Sequence, residues 1–242
     1  MKSTSPTVLL VHGAFADGSS WNEVVAELQA DGIPVRALAH PLRGLYADAA
    51  YVANAAAQVD GPVVLVGHSY GGMVITEGGA EAPNVIGLVY VAAFIPELGE
   101  TLASINTRYP TTSTPPQLIE ATYPGPVGGE SHVELSISSA TFPTAFAADL
   151  PIEVTRVAAA TQRPPALACF EEAATRTAWR ELPSWALVAT ADQMIHPDAQ
   201  HDMAERAGAT TISVDASHAV AQSQPRIVVD TIRQAVSTAV PA

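Results

Sequence analysis

The chain is organised by short, unbroken apolar runs that alternate with longer stretches whose apolar residues recur at helical spacing. Val8-Leu9-Leu10-Val11 and Val63–Val66 lack the in–out alternation of a half-exposed strand and predict buried strands, and Val35–Ala39, Val85–Ala93, Trp185–Ala189 and Thr210–Val214 read as further strands. Between them, Trp21–Ala30 carries Trp21, Val24, Val25 and Leu28 at helical spacing and stops at Asp31-Gly32. Ala47–Val59, Tyr70 to about Glu77, Pro197–Ala207 and Pro225–Val240 read as further helices. The last has a stripe of Ile227, Val228, Thr231, Ile232 and Ala235. Strands alternating with helices predict an α/β fold, a mostly parallel sheet with helices on both faces. No internal repeat is visible.

The alternation fails between about Glu97 and Pro183. Turn-forming segments such as Thr111–Pro116, Pro124-Gly125-Pro126 and Gly128-Gly129 punctuate a mostly helical pattern there. We expect residues 1–96 and 184–242 to form one core domain. Residues 97–183 are expected to form a small, mainly helical cap inserted between two late core strands, above the carboxyl ends of the strands.

Where the strand Val63–Val66 ends, the chain reads Gly67-His68-Ser69-Tyr70-Gly71 and then continues as a helix. A Gly-x-Ser-x-Gly sequence is weak by itself. Between a buried strand and a helix it marks a turn tight enough to lift the serine hydroxyl from the sheet edge as a nucleophile. Such a hydroxyl needs a base and a group that orients the base. Of the seven histidines, His218 follows the last predicted strand, on the same sheet edge as Ser69, and is the expected base. His12 and His68 adjoin motif glycines, where packed roles are expected. His40 and His132 are the rival candidates, as substrate contacts, and His196 and His201 flank a late helix. Asp192 is the first carboxylate after Trp185–Ala189 and is the expected orienting acid, giving the order Ser69…Asp192…His218. The backbone N–H groups of Ala14, after the first strand, and of Tyr70, at a helix start, are the expected oxyanion donors. Phe15, His132, Phe142 and Phe146 are candidate substrate contacts, and Phe170 and Trp179 are further apolar cap candidates.

Composition narrows the partners. The chain has 242 residues, 48% hydrophobic and 14% charged, with a net charge of −13. That acidity opposes nucleic acid and anionic membranes as partners. The single cysteine, Cys169, cannot form an intrachain disulfide and reads as a small buried side chain. No apolar run reaches membrane-spanning or signal-peptide length, so a cytoplasmic protein is expected. The scattered histidines form no metal-ligand pattern, so neither metal nor cofactor is expected. A monomer or homodimer is expected.

His-Gly-Ala-Phe at 12–15, Gly-His-Ser-Tyr-Gly-Gly at 67–72, Asp192 with Ile195 and Pro197, and Ser217-His218-Ala219 together resemble the α/β-hydrolase superfamily. The likeness runs from about Thr7 to the C-terminus, and is to the branch of small esterases that includes plant methylesterases and hydroxynitrile lyases, in its bacterial form. It implies a cofactor-independent serine hydrolase that cleaves small, largely apolar carboxylic esters through an acyl-enzyme. The lyases of that branch carry threonine at the position of Gly13 and lysine at that of Ala219, and both are absent here. Dehalogenases and epoxide hydrolases of this fold use aspartate where this chain has Ser69. The alternatives are a lyase acting on cyanohydrins or carbon–carbon bonds with the same triad, and a slow-turnover receptor for a small ligand.

Overall fold

A computed structural model describes residues 5–125 and 129–239. Pro126 and Gly128, within the expected turn segment, and Val240, the expected end of the last helix, lie outside the described residues. The core elements are β1 (Thr7–Val11), α1 (Asn22–Ala30), β2 (Val35–Leu38), α2 (Leu45–Ala57), β3 (Val63–His68), α3 (Tyr70–Gly79) and β4 (Val85–Val91). Next in the chain come α4 (Leu102–Asn106), β5 (Leu118–Pro124), β6 (Ser131–Ile137), α5 (Phe142–Ala145), α6 (Ile152–Thr161) and α7 (Ala168–Glu171). The chain closes with β7 (Ser184–Ala189), α8 (Pro197–Arg206), β8 (Thr210–Val214), α9 (Val220–Ser223) and α10 (Pro225–Thr238).

Six strands form one sheet in the order β2-β1-β3-β4-β7-β8, and every neighbouring pair is parallel. The unbroken apolar runs follow from cores on both faces. Leu9, Val11 and Leu65 point into one core with Val52, Met73 and Ile75. Val8, Leu10, Val64 and Val66 point into the other with Val24, Leu28, Val228 and Ile232. Successive side chains leave opposite faces of a strand, so each run feeds both cores at once. From β1 the chain moves outward to β2, then crosses back to β3 on the other flank of β1. At such a reversal the loops after two adjacent strands diverge to opposite faces and leave a crevice at the carboxyl edge. The loops after β1 and β3 begin at His12 and Ser69, and Val11 is in register with Gly67.

Residues between β4 and β7 add no strand to this sheet. The expected helices are present there as short pieces, but β5 and β6 form an antiparallel hairpin that the hydrophobic pattern did not reveal. The physical reason is exposure. All of β5 except Tyr123 is exposed, so backbone pairing holds the strand and no apolar stripe marks it. This region is tied to the core by the Arg43–Glu134 ion pair (3.2 Å), by Arg43 over the Tyr123 ring (4.2 Å), and by buried Glu77, which accepts the backbone N–H groups of Thr175 (2.8 Å) and Arg176 (3.0 Å).

Candidate active site

Ser69 joins β3 to α3 with φ +54° and ψ −122°, a left-handed conformation that costs an L-residue free energy. The surroundings enforce it: the Ser69 carbonyl accepts N–H groups from Gly72 (2.9 Å) and Phe94 (3.2 Å). The turn also requires glycine at 67, since a Cβ there would stand 2.5 Å from the Gly71 carbonyl oxygen. Gly13 brings the loop after β1 against Ser69, because a Cβ at that position would lie 2.7 Å from Ser69 Cβ. Tyr70 is the first residue of α3, so its N–H has no acceptor within the helix.

On the same sheet edge, the loop after β8 carries His218, whose Nδ1 donates to Asp192 Oδ2 at 2.7 Å; both side chains are buried. Asp192 also accepts from Met194 N (2.7 Å) and Ile195 N (3.0 Å) on Oδ1 and from Gln200 Nε2 (2.8 Å) on Oδ2. Four donors thus fix the carboxylate, and the carboxylate fixes the imidazole. With its proton on Nδ1, the His218 ring presents the Nε2 lone pair, and among the described residues Nε2 has no hydrogen-bond partner. The loop is held from behind. Asp149 accepts Ser217 N (2.9 Å) and the Ser217 hydroxyl, and Phe146 O accepts Ala219 N (3.0 Å). His68 Nε2 donates to the His218 carbonyl at 2.9 Å.

Of the candidate contacts, Phe146 packs edge-on against the His218 ring, with centroids 5.0 Å apart, and Phe142 stacks on Phe146 at 4.8 Å. Phe15 is buried, at φ +62°, with its ring 6.1 Å from Phe170. Two cavities flank this group. One, of about 400 Å3, lies beyond Phe15 and Phe170, under α4 and the Gln193–His196 loop. The other, of about 50 Å3, is bounded by Phe142, Phe146 and Ala158. The remaining candidates sit elsewhere. His132 is exposed, stacked on Tyr123 at the hairpin and outside both cavity linings. His40 is fully buried under His12, with ring centroids 3.9 Å apart. Trp179 lines neither cavity and donates its indole N–H to Pro96 O at 2.8 Å. Gln200, His68 and Asp149 support the pair in ways only partly legible from sequence. The position of His68 beside the elbow signals packing, whereas nothing local marks Gln200 or Asp149. Among the described residues, no three His, Cys, Asp or Glu side chains converge to hold a metal ion.

The buried titratable groups around the site make the fold acid-sensitive. Burial lowers His12 to about 4 and lowers His40 and His68 well below the ordinary 6.5. Burial also raises Asp48, which accepts the Tyr70 hydroxyl at 2.9 Å, to about 6. As pH falls from 6.5 to 4, the unfolded chain protonates His12, His40 and His68 while the folded chain resists doing so. His12 alone then costs the fold about 3 kcal/mol. Asp48 takes up its proton first in the folded state and offsets about the same amount between pH 6 and 4. His40 and His68 tip the balance. Tm is therefore expected to fall between pH 7 and 5 in a thermal melt series, and to fall less in His40→Leu.

The family model for the alpha/beta hydrolase family matches residues 8–231, most of the chain. The chain belongs to the alpha/beta hydrolase family. In this alpha/beta hydrolase, an alignment of 111 positions that covers 40% of the chain is 35% identical to a carbendazim hydrolyzing esterase of Nocardioides sp. (strain SG-4G). The alignment spans 46% of the relative's length, under half of it. Among solved structures, polyneuridine aldehyde esterase superposes with a TM-score of 0.79 at 19% identity, over 95% of this chain and 98% of that one. A pyrethroid hydrolase from Sphingobium faniae JZ-2 superposes with a TM-score of 0.75 at 20% identity, over 96% and 98%. These likenesses share the fold. Among the described residues no helix is long and apolar enough to cross a membrane.

Proposed function

We propose that this chain hydrolyses small, neutral, largely apolar carboxylic esters through an acyl-enzyme on Ser69. The observation that carries the reading is the buried Asp192–His218 pair with an unpartnered Nε2, at the same sheet edge as a serine held in a left-handed elbow. Ser69 Oγ attacks the ester carbonyl carbon while His218 Nε2 takes its proton. The N–H groups of Ala14 and Tyr70 receive the negative charge that forms on the carbonyl oxygen. Collapse of the tetrahedral species breaks the ester C–O bond, and the alcohol leaves with the proton from Nε2. Water, deprotonated by the same nitrogen, then releases the acid. Asp192 keeps the imidazole in the required tautomer and stabilises its protonated form.

Residues 97–183 act as the cap that shapes the substrate space, an assignment supported by Phe142, Phe146 and Phe170 around the two cavities. A matched relative named as an esterase is consistent with this reading. A lyase that uses a threonine hydroxyl beside the serine fits poorly, since any side chain at position 13 meets Ser69 Cβ.

The test is exposure to a fluorophosphonate followed by peptide mass mapping. One adduct on the peptide containing Ser69 is expected, since only an activated hydroxyl reacts at such rates. Folded protein that remains unlabelled overturns the proposal and leaves a dormant triad, as a ligand receptor would have.

A further inference from the structure

Asp48 is a buried carboxylate that takes no part in the proposed chemistry. It lies in the first turn of α2 and is fully buried. Its Oδ1 accepts the backbone N–H of Arg43 at 3.3 Å, while the Arg43 guanidinium turns to Glu134 instead. Its Oδ2 accepts the Tyr70 hydroxyl at 2.9 Å and faces the Cys169 thiol at 3.9 Å. These donors are neutral, so the carboxylate is costly to bury, and an apolar side chain of the same outline would cost less. Packing alone does not call for a carboxylate here.

What Asp48 holds is the residue after the nucleophile. Tyr70 follows Ser69 directly, and its N–H is one of the two proposed oxyanion donors. The Ser69–Tyr70 peptide unit is held at one end through the Ser69 carbonyl, which accepts Gly72 N and Phe94 N. The other end carries an N–H with no acceptor within α3, and is held by the Tyr70 side chain. That ring is fully buried, and its hydroxyl ends on Asp48, so a stiff side chain ties the peptide unit to α2. The ring of His40 lies 6.2 Å from that of Tyr70, and His12 stacks on His40 at 3.9 Å before the chain reaches Ala14, the other proposed donor. One buried layer thus underlies both donors.

We propose that Asp48 is a positioning residue that, by holding the Tyr70 hydroxyl, sets the Tyr70 N–H where negative charge develops on the substrate oxygen. This rests on the reading of Ser69 as the nucleophile. Such a donor acts on the oxygen of the tetrahedral species rather than on the ground-state carbonyl. Its displacement therefore slows the chemistry and leaves substrate binding nearly intact.

Tyr70→Phe removes one oxygen and keeps the ring. It is expected to lower kcat for p-nitrophenyl acetate by about tenfold, short of the roughly 10^2–10^3-fold lost with a whole oxyanion donor, and to change KM little. Asp48→Leu cuts the same tether and is expected to do the same. Asp48→Asn, whose amide oxygen can still accept the hydroxyl, is expected to keep kcat near the wild-type value. The double variant Tyr70→Phe/Asp48→Leu decides between positioning and stability. With both partners apolar, its Tm is expected to recover above that of Tyr70→Phe, which leaves the carboxylate short of a donor. Its kcat is expected to stay about tenfold low, no lower than in either single variant, since one hydrogen bond is lost in all three. A merely structural bond would return kcat together with Tm. Unchanged kcat in Tyr70→Phe, or kcat restored in the double variant, overturns the role of Asp48 and leaves Ser69 chemistry standing. Failure of wild type to hydrolyse the ester overturns the Ser69 reading and this role with it.

Discussion

Ser69→Ala is expected to lower kcat for p-nitrophenyl acetate by about 10^4–10^6-fold while changing KM little, because the lost oxygen forms the bond to the substrate carbon. The proposed N–H groups of Ala14 and Tyr70 and the two cavities survive the substitution, which is why binding and a residual rate above water remain. The same position separates chemistry from stability. At φ +54° alanine is strained much as serine is, whereas glycine is not. Ser69→Gly is thus expected to be equally inactive but to unfold at a higher temperature than Ser69→Ala. Steady-state kinetics and thermal melts of the two variants check both statements, and substantial turnover by either variant would sink the mechanism.

The second large effect is expected from Asp192→Asn. Asp192 accepts four hydrogen bonds, from Met194 N, Ile195 N, Gln200 Nε2 and His218 Nδ1. An asparagine offers one acceptor oxygen and one NH2 group, so at least one of these donors must face another donor. If the amide oxygen is turned to the two backbone N–H groups, the NH2 faces Nδ1 and drives the ring to its other tautomer. Nε2 then carries a proton and cannot receive one from Ser69. A loss of about 10^4-fold in kcat is expected for this reason. Frustration of buried donors should also cost about 1–3 kcal/mol in stability. Both are measured on the purified variant. Near-normal kcat in a folded Asp192→Asn protein would mean that another group orients His218.

How much of this was legible in the sequence depends on what each part is made of. Strands buried on both faces announce themselves, because two cores demand apolar residues at every position, as in Val8–Val11 and Val63–Val66. The position of Ser69 is equally plain, since the elbow needs small residues at fixed offsets. Asp192 and His218 could be nominated because each follows a readable strand and the sheet brings those strand ends together. The β5–β6 hairpin was hidden because its first strand has nothing to bury. Gln200 was hidden because its contact with Asp192 arises from how α8 packs against the end of β7, where Ala189 N also donates to Gln200 Oε1 at 3.1 Å. The large cavity was hidden for the same reason, being a space between α4, a proline-rich stretch and a loop 80 residues later that no local pattern encodes.

The sheet order also places the parts of the site far apart in the time of folding. β4 pairs with β7 across the whole inserted segment, and β8 pairs with β7 in turn. Ser69 belongs to the half that emerges first from the ribosome, whereas Asp192 and His218 join it only after two late strands have docked. Contacts of such long sequence separation close slowly, because the entropy of closing the loop must be lost before pairing repays it. A chain of this topology can form its strained elbow, and most of one core, while its serine still lacks a base. On the proposed mechanism, hydrolytic competence is then the last property the molecule acquires, and a nascent or cap-proximal fragment is expected to be chemically silent until the C-terminal strands lock.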